Sequence, residues 1–243
     1  MQMNKTILIT GAAKRIGRDI ALAFSDLDWN IIIHYNSSKK EADELASQIN
    51  STNPDSAKTV QGNLDIAEDI TRIINKVIDM YPSIDLLVNN ASTFYPTPIE
   101  EISEKHWNKL IGSNLKGPLF LIQGLKENLK AVNGSIINIT DTNLVKGVPN
   151  YSIYSAAKAG LEAITKGLAR ELAPNIKVNA VAPGAMLEPP DVIWSEEQKN
   201  KVIENIPAKR MGSEKDITEA VKFLAYSDYI TGQIIKVDGG RSL

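Results

Sequence analysis

Thr6–Gly17, TILITGAAKRIG, is the stretch whose reading decides the fold. Thr6–Thr10 (TILIT) is a short β-branched run that stops at a glycine, which reads as a buried strand. Gly11 permits a tight turn, and Gly17 lets a following helix pack closely on the strand. The spacing is G-x5-G, with Arg15 where a middle glycine is often found. Unpaired N–H groups at the start of the helix favour an anion. An ordinary βα loop can carry the same glycines, but its place at the head of a β-α series makes cofactor binding the stronger reading. Arg15 could then face a phosphate, or a polar substrate edge beside the cofactor.

Working outward, similar short apolar runs recur at Ile31–Tyr35, Leu86–Asn89, Ser135–Thr140, Lys177–Ala182 and Ile234–Val237, with a weaker one at Thr59–Gln61. Helical periodicity fills the intervals. It is clearest at Ile16, Ile20, Ala23, Phe24 and Leu27, at Ile70, Ile73, Ile74, Val77 and Ile78, and at Leu161, Ile164, Leu168 and Leu172. The alternation predicts an α/β fold: one Rossmann-like, doubly wound parallel sheet of about seven strands with helices on both faces, spanning 1–243 as a single domain. Ala185–Met211, which contains Pro189-Pro190 and Pro207, breaks the rhythm after a strand end. It is expected to be an irregular substrate loop or lid.

The 243 residues are 43% hydrophobic, enough for one sizeable core. With 27 Lys+Arg against 29 Asp+Glu, the net charge of −2 argues against nucleic acid as main partner. No cysteine is present, so disulfides, thiolate nucleophiles and Cys-ligated metals are excluded. Two histidines, His34 and His106, are too few for a His-rich metal site, and no metal is expected. The N-terminal apolar run is broken by glycine and does not read as a signal peptide, and no segment approaches a membrane span. The expected location is cytoplasmic.

The second strand exits through His34-Tyr35-Asn36-Ser37-Ser38-Lys39-Lys40, with no acid until Glu41. A carboxylate there would hold a ribose 2′-OH and repel a 2′-phosphate, so NADPH is the expected cofactor. Lys14, Arg15, Lys39 and Lys40 cluster around this phosphate end. Downstream, YSIYSAAKAG (151–160) places Tyr154 and Lys158 at i, i+4 on one helix face. A nearby ammonium is expected to lower the phenol's pKa and make it a usable acid.

These pieces together resemble the short-chain dehydrogenase/reductases from end to end: TGAAKRIG, the NNA of NNAS (89–92), Asn114, YSIYSAAKAG, Pro183-Gly184 and the closing VDGG (237–240). The resemblance implies that Tyr154 is the proton donor, that Lys158 holds ribose hydroxyls and tunes Tyr154, and that Asn114 orders a water relay. It implies cofactor contacts from Gly11, Lys14, Arg15 and Ile16 and from Tyr35, Asn36, Ser37 and Ser38. Asn63, Leu64 and Asp65 would lie near adenine. Asn90, Ala91, Ser92, Thr140, Pro183 and Gly184 would line the remainder. It also implies a homotetramer, with the helices bearing Asn114 and Tyr154 pairing across one interface. The histidines then need no catalytic role.

Most members of that superfamily carry a serine thirteen residues before the tyrosine, where this chain has Asp141. Arg15, HYNSS (34–38), NNASTFYPTP (89–98), Asp141, Tyr154 and Lys158 together are similar to the pteridine reductases. That resemblance implies reduction of dihydropterin or dihydrofolate. Phe94 would stack on the pterin, Asp141 and Tyr154 would supply protons, and Arg15 and Ser92 would contact substrate. The 185–211 loop matches no pattern of that family, and Met186 and Leu187 on it are candidate substrate contacts, Leu187 as a lid residue. Val192 and Trp194 are further lid candidates. Two alternatives stand beside this reading. A 3-oxoacyl-thioester or other carbonyl reductase of the same superfamily is one. In the other, Thr140 or Thr142 takes the serine's place.

Overall fold

The computed structural model describes residues 4–145, 147–186 and 194–243. The strands form where the β-branched runs lie: β1 (Thr6–Ile9), β2 (Asn30–Tyr35), β3 (Ala57–Gln61), β4 (Leu86–Asn89), β5 (Ser135–Ile139), β6 (Lys177–Pro183) and β7 (Ile234–Val237). They make one parallel sheet in the order β3-β2-β1-β4-β5-β6-β7. The chain winds outward from β1 to β3 and then crosses back to β4. The strand order therefore reverses between β1 and β4, and a crevice opens beyond their carboxyl ends.

The helices are α1 (Arg15–Ser25), α2 (Lys39–Thr52), α3 (Ala67–Met80), α4 (Glu104–Ile111), α5 (Gly117–Lys130), α6 (Ser152–Glu171), α7 (Glu196–Glu204) and α8 (Glu214–Tyr226). Successive strand residues point to opposite faces, so a buried strand is apolar on both. Ile7, Ile9, Ile31, Ile33 and Val88 pack under Ile20, Phe24, Leu45 and Val221 from α1, α2 and α8. Leu8, Ile32, Leu87 and Ile136 pack on the other face under Ile70, Ile73, Val77, Leu121 and Leu125 from α3 and α5. Two members of the expected helical stripes are turned to solvent. Leu27 lies beyond the end of α1, and both it and Ile78 are exposed.

Within the expected Ala185–Met211 loop, residues 194–211 are described and are not wholly irregular. They contain α7, opened by a capping box in which Ser195 and Gln198 satisfy each other's backbone N–H groups. Met186 packs beside Gly212 and against the first core cluster. Trp194 is partly buried just before α7, while Leu187 and Val192 lie outside the described residues. Among the described residues no helix is long and apolar enough to cross a membrane, and no group of three metal-ligating side chains occurs.

Candidate active site

The turn after β1 is shaped by close approach. Gly11 has φ of +62°, and a Cβ there would lie 3.0 Å from Ala91 Cα. A Cβ on Gly17 would lie 2.5 Å from the Gly11 carbonyl oxygen, so only glycine lets α1 sit this close. Arg15 also adopts the left-handed region, at φ 51°. The chain thus keeps a glycine-like backbone at this position while carrying a side chain, at a cost of about 1 kcal/mol. No side chain caps the start of α1 and its first turn holds no acid, as an anion site requires.

Two residues that the sequence reading left without a role hold this turn. The Thr10 hydroxyl accepts from the backbone N–H of Asn90 and of Ala91, both at 2.9 Å, which ties the β4 exit to β1. Asn90 Nδ2 donates back to the Thr10 carbonyl at 2.9 Å. His34 is fully buried, and its Nδ1 accepts from the Gly11 N–H at 3.2 Å. Its Nε2 lies 3.0 Å from the Gly62 carbonyl, so the neutral tautomer protonated on Nε2 fits both partners. Burial drives its pKa down to about 4.

Around the expected adenosine end, Tyr35 is buried while Asn36 and Ser37 are exposed, and Ser38 makes no capping bond at α2. Leu64 is buried. Asn63 Oδ1 accepts from the Asp65 N–H at 3.1 Å. Asp65 Oδ2 pairs with Lys109 at 2.9 Å, while its other oxygen is buried and finds no protein donor. That leftover acceptor fits a donor on a base edge. Lys14 and Glu41, from the β1 turn and the start of α2, form an ion pair at 2.7 Å.

The reacting end gathers at the β4 and β5 exits. Tyr154 Oη donates to Asp141 Oδ2 at 2.8 Å. Thr140 and Thr142 are turned elsewhere: Thr140 Oγ1 lies 3.2 Å from Glu162 Oε1, and Thr142 Oγ1 donates to the Pro183 carbonyl at 3.2 Å. Asp141, and neither threonine, therefore faces the tyrosine. Lys158 is buried one turn along α6 and donates to the Ile139 carbonyl at 2.8 Å. Its Nζ stands 5.9 Å from the centroid of the Tyr154 ring. Burial lowers the Lys158 pKa to about 8 against the pull of Asp141. The expected lowering of the Tyr154 pKa is not found. Burial and the Asp141 carboxylate hold the phenol well above its ordinary value, and a bond from Ser92 only partly offsets them.

Asn114 is fully buried in a π turn, Gly112–Lys116, between α4 and α5. Its Nδ2 donates to the Thr93 and Leu110 carbonyls, both at 2.9 Å, and its Oδ1 accepts from Ser92 Oγ at 2.7 Å. The side chain thus anchors the loop after β4. Phe94 on that loop stacks on Tyr151 at 4.5 Å and meets the Tyr154 ring edge-on at 4.8 Å. Tyr151 was missed because it precedes the Tyr154 motif and carries no acid–base signal of its own. Gly184 packs against Asp238 after β7, and its N–H donates to the Val237 carbonyl.

Comparison with known proteins assigns the chain. Residues 11–242 match the family model described as Enoyl-(Acyl carrier protein) reductase. A 3-oxoacyl-[acyl-carrier-protein] reductase FabG of Staphylococcus epidermidis is 38% identical, covering 98% of this chain and 99% of the relative. FabG of Staphylococcus aureus is 37% identical over 99% of both chains, and FabG of Thermotoga maritima is 35% identical over 97% of both. The pteridine reductase expectation, with its pterin or folate substrate, is overturned by these full-length matches. It rested on a few positions around Asp141 and Phe94, where one carboxylate and one aromatic ring fit more than one substrate. The NADPH expectation stands, and an uncapped α1 and an acid-free β2 exit fit it. The chain belongs to this acyl-carrier-protein reductase family, within the short-chain dehydrogenase/reductase superfamily.

Proposed function

We propose that the chain reduces the 3-oxo group of an acyl thioester to a 3-hydroxyacyl thioester. The observation that carries this reading is the match to 3-oxoacyl-[acyl-carrier-protein] reductases along nearly the whole chain. Bound NADPH would supply the hydride equivalent for this reduction, held by the turn after β1 and the exit of β2. Tyr154 donates its phenolic proton to the carbonyl oxygen, so hydride and proton together make the alcohol. A raised phenol pKa keeps Tyr154 protonated at neutral pH, the form that a reduction needs. Below about pH 8 Lys158 is an ammonium, which offsets the charge left on Tyr154 after transfer. Asn114 acts as a positioning residue through Ser92 and Thr93. Phe94 and Tyr151 form an aromatic wall beside Tyr154 that suits an acyl chain.

The remaining assignments follow the same reading. Gly11, Lys14, Arg15, Ile16, Tyr35–Ser38, Asn63–Asp65, Asn90–Ser92, Thr140, Pro183 and Gly184 hold the cofactor. Residues 185–211 cover the substrate, and the working form is a homotetramer. The test is NADPH oxidation with an acetoacetyl thioester, with a crotonyl thioester as control. Turnover of the acetoacetyl substrate is expected, and it should vanish in Tyr154→Phe while NADPH binding persists. Turnover of the crotonyl substrate alone would move the reaction to a C=C bond. Failure with both would overturn the proposal.

A further inference from the structure

The sequence places four cations at the phosphate end and no acid in the β2 exit, but the fold brings carboxylates back. Glu41, in the first turn of α2, reaches across to Lys14 in the turn after β1, with Oε1 and Nζ 2.7 Å apart. Lys39 pairs with Asp43 at 2.5 Å, and Lys40 with Glu44 at 3.9 Å. The β1 turn and the β2 exit are the two segments that meet the ribose and phosphates of a dinucleotide in this fold class. The Lys14–Glu41 pair bridges them.

We propose that Glu41 is a specificity-determining residue that weakens 2′-phosphate recognition by competing for Lys14. Both side chains are exposed, so the pair is cheap to break and a phosphate can displace the carboxylate. Displacement still leaves Glu41 beside the incoming dianion, and its repulsion subtracts from the grip. A nucleotide lacking the 2′-phosphate does not have to break the pair. The proposal deepens the NADPH assignment and concerns the strength of its preference over NADH.

The test uses 2′,5′-ADP and 5′-AMP as probes, titrated calorimetrically into the wild type, Glu41→Gln and Lys14→Met, with thermal melting to verify folding. Glu41→Gln should bind 2′,5′-ADP about threefold or more tighter at low salt and leave 5′-AMP unchanged. Lys14→Met should lose 2′,5′-ADP affinity alone. A wild type indifferent to the 2′-phosphate, with a preference appearing in Glu41→Gln, would weaken the NADPH assignment while supporting the role of Glu41. Unchanged 2′,5′-ADP affinity in Glu41→Gln, or an equal shift for both probes, would overturn it. So would weaker 5′-AMP binding in that variant, because Glu41 would then be holding the ribose hydroxyls.

Discussion

Replacing Asp141 by serine separates two effects of one carboxylate. Asp141 accepts the proton that Tyr154 must give to a carbonyl oxygen, so an incoming substrate has to take over that bond. The same carboxylate raises the Tyr154 pKa and repels an oxygen gaining negative charge. Serine removes the charge and leaves a hydroxyl that can donate. Asp141→Ser is therefore expected to raise kcat/KM for the acetoacetyl thioester by about tenfold, equivalent to about 1.4 kcal/mol of transition-state stabilisation. Steady-state kinetics check this, and a fall of similar size would mean that Asp141 helps the reduction. At this scale the sequence was legible in part. The i, i+4 spacing of Tyr154 and Lys158 follows from helix geometry and could be read directly. The direction of the phenol's shift could not, because it depends on burial and on the hydrogen bond that Tyr154 makes to the Asp141 carboxylate. Substrate class was misread for a related reason: Asp141, Phe94 and Arg15 are compatible with several flat or charged ligands.

Among the elements, the central strands were the most legible, since runs buried on both faces leave an unbroken apolar signature, while the edge strand β3, half exposed, left a weak one. The π turn at Gly112–Lys116 and the left-handed Arg15 were not legible, because neither a one-residue widening of a helix nor a single positive φ leaves a periodic signature in the sequence. His34 illustrates the same limit. It sits at an ordinary core position in β2, yet its ring joins the β1 turn to the β3 exit. Its folded pKa of about 4 lies below the ordinary 6.5, so burial favours the neutral ring. A buried neutral histidine contributes stability that is fully present above pH 6.5 and is lost as pH falls to about 4. A depression of this size corresponds to a contribution on the order of 3 kcal/mol. Chemical unfolding at fixed protein concentration should show this loss between pH 7 and pH 4. In His34→Gln, whose amide can still accept from Gly11 and donate to Gly62, the loss should shrink by most of that amount. An identical acid slope in both proteins would assign the sensitivity to other groups.

For the whole molecule, the surface of α6 carries the information that the core does not need. Ala156, Ala159, Ala163 and Gly167 recur at helical spacing and are exposed, and a Cβ built on Gly167 would meet nothing within 4 Å. Trp107 on α4 and Phe120 on α5 are also exposed. An exposed stripe of small residues on one helix, together with exposed large apolar side chains, suits a close contact between copies, and a closed symmetric assembly would bury that surface in each chain. From the sequence alone these alanines could equally have faced the interior; their exposure separates the two cases. Gel filtration with light scattering should therefore give a species of about 106 kDa, four copies of the 26.6 kDa chain. Ala163→Glu places a carboxylate in the middle of the stripe, and around a twofold axis it would face its own copy. That variant is expected to dissociate to half the mass or less and to lose thermal stability, with its circular dichroism unchanged. A wild type eluting at the monomer mass would remove the assembly. A tetramer unaffected by Ala163→Glu would move the contact away from α6, leaving Phe223, Tyr226 and Tyr229, exposed on and just beyond α8, as the next surface to substitute.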